Sequence, residues 1–220
     1  NLFGRRKVQR LYDTLKSQPF ELNRFFEDAI AVTNIDLRYD QTQLDRIPAT
    51  GPLAMVANHP FGVIDGTILC HLAAQARGDF RILINAVLCR DKDLAPYFLP
   101  VDFSPGKAAM KNNVATGRRA REAMAEDIPV LIFPSGFVST AGKFGTGRAV
   151  DAPWTTFAAK LISDARANVV PIFFHGQNSR AFHIASHLSE SLRMAFLIRE
   201  ARARFGTRFD VTIGDTLAYE

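Results

Sequence analysis

The chain of 220 residues carries 27 Lys and Arg against 22 Asp and Glu, a net charge of +5 that favours an anionic partner, either nucleic acid or anionic lipid. At 47% hydrophobic composition it can bury the core of one globular domain, and it contains no internal repeat or low-complexity linker. No apolar run approaches the roughly 18 residues of a membrane-spanning helix, residues 1–10 lack the apolar centre of a signal peptide, and Cys70 and Cys89 lack CxxC spacing, so spanning, secretory and disulfide-scaffold classes are not expected.

From about Arg6 to Val32 the chain reads as two amphipathic helices broken near Pro19. Leu11, Leu15, Phe20, Leu22, Phe25, Phe26 and Ile30 supply the apolar face. This segment is either a helical cap on the core or a direct lipid contact, and Arg5, Arg6, Lys7 and Arg10 suit phospholipid headgroups as well as they suit water. The expected organisation is an N-terminal helical extension over residues 1–44 and a main domain over 45–220. The chain does not begin with Met, which leaves a preceding anchor or domain open.

Beyond Pro48, β-rich runs at 53–57, 81–84, 130–133, 169–174 and 209–213 alternate with helix-like periodicity at 65–77, 108–125, 155–166 and 191–204. Such alternation predicts a single α/β domain with a mostly parallel central sheet flanked by helices. Reactive groups gather where strands of such sheets end, which directs attention to the loops after Ala57 and Phe133. The two cysteines sit among apolar residues and read as buried thiols of a cytosolic protein.

Asn58-His59-Pro60-Phe61-Gly62-Val63-Ile64-Asp65-Gly66 follows a strand, leads into a helix and is too polar to cross a core. A His at a strand end with an Asp six positions on, across a Pro- and Gly-shaped turn, can fold so that the carboxylate reaches the imidazole. That arrangement orients a general base. The carboxylate would fix the tautomer and stabilise the imidazolium, as Asp does in a Ser-His-Asp triad. A nucleophilic serine is missing, so a substrate hydroxyl, activated by His59, would attack an acyl thioester directly. Backbone N–H groups near Gly62 or beside Gly136 are the candidate oxyanion donors. The alternative reading is a helix-capping turn with a satisfied His.

The Asn58-His59 to Asp65-Gly66 segment resembles the first motif of the PlsC-like lysophospholipid and glycerol-phosphate acyltransferases. Phe133-Pro134-Ser135-Gly136 resembles their third block, Phe-Pro-Glu-Gly, and Val169-Val170-Pro171-Ile172 their apolar-Pro fourth block. The likeness covers roughly residues 45 to 180. Residues 58–66, 144–160 and 175–180 are further similar to bacterial acyltransferase-domain proteins of the hemolysin-like subgroup. The resemblance implies that residues 45–220 form an acyltransferase domain, with His59 and Asp65 catalytic. Asn58, Gly62 and Gly66 would shape the turn, and Ser135 with Gly136 would line the acceptor side. It also implies acyl carrier protein or coenzyme A as thioester co-substrate, no metal or redox cofactor, a lysolipid acceptor, and peripheral residence on an anionic membrane, at the cytoplasmic face of the inner membrane.

This chain departs from the family pattern in four places. His59 and Asp65 are separated by five residues rather than four; Ser135 replaces Glu; Val138 replaces an Arg; and the second block, Leu99-Pro100-Val101-Asp102-Phe103, also lacks Arg. The family uses the lost groups to hold a phosphate-bearing acceptor, so another acceptor, such as a lyso-aminolipid, is admitted. Lys107, Lys143 and Arg148 are candidates to replace the charge, and His175, Gln177, Asn178 and Arg180 form a polar group after a strand end that can line the site. A non-catalytic lipid-binding module and a lipid hydrolase are the competing readings.

Other signals are weaker. Gly142-Lys143 lacks the Ser or Thr of a phosphate-binding loop, Ser135 is not in Gly-x-Ser-x-Gly, and His183 with His187 lacks a third metal ligand. Arg118, Arg119, Arg121, Arg193, Arg199, Arg202 and Arg204 could form a nucleic-acid surface, but no recognition motif accompanies them, so nucleic acid is not expected.

Overall fold

The structure is a computed structural model that describes residues 5–17, 21–89 and 91–220. The expected break at Pro19 and the apolar position Phe20 lie outside the described residues, as do the side chains of Arg5, Arg6, Lys7 and Leu22.

The architecture follows from one central strand. In β2 (Leu53–Ala57) all five residues are buried, as a strand covered on both faces requires. Because side chains alternate, Leu53, Met55 and Ala57 enter one core and Ala54 and Val56 the other. The first core is closed by α4 (Val63–Arg77) through Ile68, Leu69 and Leu72. The second is closed by Ala120 and Met124 of α5 (Lys107–Ala125) and by Ala158 and Leu161 of α6 (Thr156–Ala165).

Six further strands join β2: β1 (Asp36–Arg38), β3 (Arg81–Asn85), β4 (Phe98–Val101), β5 (Val130–Ile132), β6 (Asn168–Phe174) and β7 (Arg208–Ile213), in the order β1-β7-β6-β2-β5-β3-β4. The five strands from β6 to β4 are parallel; β7 runs antiparallel to β6, and β1 is parallel to β7. The sheet is therefore mostly parallel and flanked by helices, as expected. Its parallel strands release the chain on one edge, where the segments after β2, β4, β5 and β6 meet.

The remaining helices are α1 (Arg5–Lys16), α2 (Leu22–Val32), α3 (Gln41–Asp45), α7 (Arg180–Leu188) and α8 (Glu190–Ala203). Phe26 of α2 is buried in the first core against Phe80, and β1, also within the expected extension, pairs with β7. The strands β1 and β4 and the helix α3 were not among the expected elements. β1 is short and charged, and Pro100 masks β4, which tolerates a proline because it lies at the sheet edge. Cys70 is buried as expected, but Cys89, outside the packed core, is only partly so; both are free thiols. Among the described residues no helix is long and apolar enough to cross a membrane.

Candidate active site

The site begins where β2 ends. Asn58 Nδ2 donates to the Phe174 carbonyl at 3.0 Å and Oδ1 accepts from the Phe174 N–H at 2.7 Å. The side chain thus imitates a strand residue and ties the turn to β6. Gly62, at φ +84°, reverses the chain into α4, and a Cβ there would stand 2.9 Å from Leu197 Cδ2 and 3.3 Å from Val138 Cγ2. Conformation and space both call for glycine.

Asp65 stands three residues into this turn with its side chain fully buried, at 0% exposure. Its Oδ2 accepts from the N–H groups of Phe61 at 2.7 Å and Gly62 at 2.9 Å, and lies 3.1 Å from His59 Nδ1. The helix cap and the His–Asp pair, alternatives on the sequence, are one interaction in the structure. Backbone amides can only donate, so Oδ2 acts as an acceptor and the His59 Nδ1 carries the proton. In the neutral imidazole, Nε2 is then the nitrogen with the lone pair. It has no hydrogen-bond partner among the described residues, and the side chain is 17% exposed. Burial pushes the Asp65 carboxyl above its ordinary range, opposed by the hydrogen bond and charge of His59 and then by the two amides.

The His59 ring stacks on Phe133 with centroids 3.9 Å apart and planes at 25°. Its backbone is fixed on both sides. The carbonyl accepts from Ser139 N–H at 2.8 Å, and the N–H donates to Asp151 Oδ1 at 3.3 Å. Asp151 also accepts from the Ser139 hydroxyl and, at 3.3 Å, from Trp154 Nε1. The His59 side chain is held by its ring, its Nδ1 and its main chain, which limits its reorientation.

The loop after β5 closes on itself. Ser135 is buried; its Oγ donates to the Phe137 carbonyl at 2.8 Å and accepts from the Phe137 N–H at 3.3 Å, and the Gly136 N–H is bound to the Phe133 carbonyl at 2.9 Å. The amides of Gly62 and Gly136 themselves are engaged, by Asp65 and by Phe133 respectively. The Ser135 hydroxyl bonds within its own turn. Val138 is buried against Phe182 and Leu197. Near it α8 brings Arg193, whose Nη2 donates to the Val138 carbonyl and whose guanidinium lies 6.0 Å from the Phe137 ring.

The other expected positions separate. Gly66 faces open space, since a Cβ there would meet nothing within 4 Å. Lys143 is exposed, Arg148 lies 6.0 Å from the Phe173 ring, and Arg180 donates to the Phe144 carbonyl at 3.4 Å. Gln177 accepts from Ala149 N–H at 2.7 Å, so residues 175–180 hold the 142–151 loop. His175 Nε2 meets Thr212 Oγ1 at 2.8 Å, and Asn178 is buried. Lys107 lines a groove between α5 and α6 that includes neither His59 nor Asp65. His183 and His187 both bind the backbone of Ala141, and among the described residues no cluster of three or more His, Cys, Asp or Glu is placed to hold a metal.

Four residues at or beside this site were not singled out as site residues from the sequence: Phe133, Asp151, Arg193 and Arg204. Arg204 lies 4.7 Å from the Phe61 ring and binds the Gln177 carbonyl. Asp151 sits inside the 144–160 stretch that resembles the hemolysin-like subgroup, which was its only signal. Arg193 and Arg204 were indistinguishable from neighbouring surface arginines.

Comparison with known proteins supplies the family. The chain is 27% identical over 225 aligned positions to a lyso-glycine lipid O-acyltransferase of Phocaeicola vulgatus, covering 91% of this chain and 75% of that protein. It is 26% identical to a protein of the same name from Bacteroides thetaiotaomicron, covering 84% of this chain and 68% of the relative. The fold superposes on the crystal structure of the 1-acyl-sn-glycerophosphate acyltransferase PlsC from Thermotoga maritima with a TM-score of 0.58, at 15% identity, over 96% of this chain and 72% of the other. Residues 15–218 match the family described as acyltransferase, so the chain belongs to the acyltransferase family, whose members move acyl groups other than aminoacyl groups.

Proposed function

We propose that the chain is a lysolipid O-acyltransferase working at a membrane surface, with His59 as general base and Asp65 as the group that orients it. The observation that carries the reading is the His59–Asp65 pair, whose Nδ1 is bound at 3.1 Å while Nε2 stays unengaged. Nε2 takes the proton of the lysolipid hydroxyl as its oxygen attacks the carbonyl carbon of an acyl thioester. The tetrahedral intermediate then expels the thiolate, which receives the proton from the imidazolium, so an ester forms as the thioester breaks. The buried Asp65 carboxylate offsets the positive charge while it exists. Such assistance is worth ~10²–10⁴-fold.

The acceptor side favours a lysolipid without a phosphate monoester, such as a lyso-glycine lipid. Val138 and Ser135 are buried at the positions where the family pattern carries Arg and Glu, and the two relatives named above are lyso-glycine lipid acyltransferases. Exposed Val63, Phe103 and Phe137 on or beside the site loops support contact with an apolar lipid phase. The expected setting is peripheral, on the cytoplasmic face of the inner membrane.

The test is transfer of labelled palmitate from palmitoyl-coenzyme A and from palmitoyl-loaded acyl carrier protein to a panel containing lyso-glycine lipid and 1-acylglycerol phosphate. The parent is compared with His59→Ala. Ester formed by the parent and reduced at least a hundredfold in the variant is the expected result. Free palmitate in place of ester would make the protein a hydrolase, and ester formation undiminished in the variant would remove His59 from the mechanism.

A further inference from the structure

Away from His59, the facing stripes of α5 and α6 enclose a groove of about 780 Å³. On α5, Lys107, Met110, Val114, Gly117 and Arg121 line it at the three- and four-residue spacing that places them on one helix face. Phe157, Lys160, Leu161 and Asp164 line it from α6. The floor is apolar and accessible, with Met110 and Val114 64% and 67% exposed. Lys107, Arg121 and Lys160 rim it, and Asp164 is the one carboxylate among the lining residues, 3.6 Å from Arg121. Cations therefore outnumber anions around an apolar floor, the surface that complements an acidic amphipathic helix.

The spacing of the cations distinguishes between donors. Lys107 and Arg121 stand at opposite ends of the α5 face, about 21 Å apart at 1.5 Å rise per residue. A partner helix of about four turns spans that length with carboxylates at both ends. A coenzyme A thioester, whose phosphates cluster around one ribose, places its negative charge at only one end of the groove. The Lys107 end also leads to the catalytic turn: the loop just before it carries Phe103, which lies against Gly136, and the same turn begins at Phe133, stacked on His59.

We propose that the α5–α6 groove docks an acidic, helical acyl carrier protein, presenting its thioester arm from the Lys107 end towards His59. This inference rests on the acyltransferase reading above and specifies its donor. Binding of palmitoyl-loaded bacterial acyl carrier protein to the whole chain, followed by fluorescence anisotropy, tests it independently of turnover. Binding should weaken at least tenfold in Lys107→Glu with Lys160→Glu, and also in Val114→Asp, and should weaken as salt is raised. The matched reversal outside the groove, Arg46→Glu with Arg202→Glu, should leave it within about twofold. Thermal melts establish that each variant folds, and all five substitutions replace exposed side chains.

No carrier binding by the parent, or equal weakening in the groove variants and the outside control, would overturn the groove. Carrier binding that depends on the groove without ester formation would retain the docking site and sink the role of His59. Ester formation from palmitoyl-coenzyme A without carrier binding would retain the catalytic reading and sink the docking site.

Discussion

Two glycine-containing turns meet at the same sheet edge and differ in where their polar groups point. In residues 58–66, Asp65 gathers two amides and His59 on one oxygen, and the His59 Nε2 is left unengaged. In residues 133–137, the Ser135 hydroxyl and the Gly136 amide are both closed onto the turn's own backbone. The first turn retains chemical capacity; the second supplies shape, through Phe133 beneath the His59 ring. Similar loop composition thus divides into a turn with an unengaged ring nitrogen and a self-closed one, according to whether a polar atom remains unengaged after the backbone is satisfied.

The sharpest way to break this contrast is Asp65→Asn. Loss of the carboxylate removes both the tautomer control and the counter-charge, so kcat should fall ~10²–10⁴-fold. Stability should move differently. Because burial raises the folded-state pKa of Asp65, its carboxyl contributes stability that is fully present below the ordinary carboxylate pKa and is lost as pH rises through the raised folded value. The variant cannot ionise and should melt no lower than the parent at neutral pH, with the parent gaining on it as the pH falls towards the ordinary carboxylate range. Thermal melts along that range check the sign. A variant destabilised equally at every pH would show that the carboxylate serves only as a cap.

Gly62→Ala and Gly136→Ala compare the two turns directly. Both positions have φ in the left-handed region, +84° and +68°. At Gly62 the new Cβ meets buried Leu197 and Val138, whereas at Gly136 it meets the end of the Phe103 ring, an exposed side chain able to swing aside. Gly62→Ala should cost about 2–3 kcal/mol and Gly136→Ala about 1 kcal/mol, read from urea midpoints. Equal costs would mean that the two turns are equally constrained.

Ser135→Ala is the smallest change. Losing its hydrogen bonds within the turn should cost about 1 kcal/mol, with kcat and KM for the acceptor within about threefold of the parent. A large rise in acceptor KM without loss of stability would make Ser135 a substrate contact and give the second turn a direct part in binding.

Much of this was legible because it is local. The apolar run of β2, the alternation of strand and helix, and a His and Asp six residues apart depend on near neighbours, and the structure places all three as the sequence suggested. β1 and β4 escaped notice because a charged triplet and a proline-containing run become strands only when a sheet edge is there to receive them. The engagement of the Gly62 and Gly136 amides was not legible, because a hydrogen-bond donor's availability depends on every acceptor the fold brings near it.

Chain order by itself therefore determined the α/β class and the His59–Asp65 pair, since periodicity and short spacing are properties of contiguous residues. Only the tertiary structure decided what supports the pair. Phe133 reaches His59 across the sheet edge, Asp151 binds the His59 amide from 92 residues along the chain, and Arg193 arrives from the penultimate element. Ser135 and Asn178, polar in the sequence, end up buried. Burial and long-range hydrogen bonding are settled by the packing of distant segments against one another, and no local pattern encodes which segments those will be.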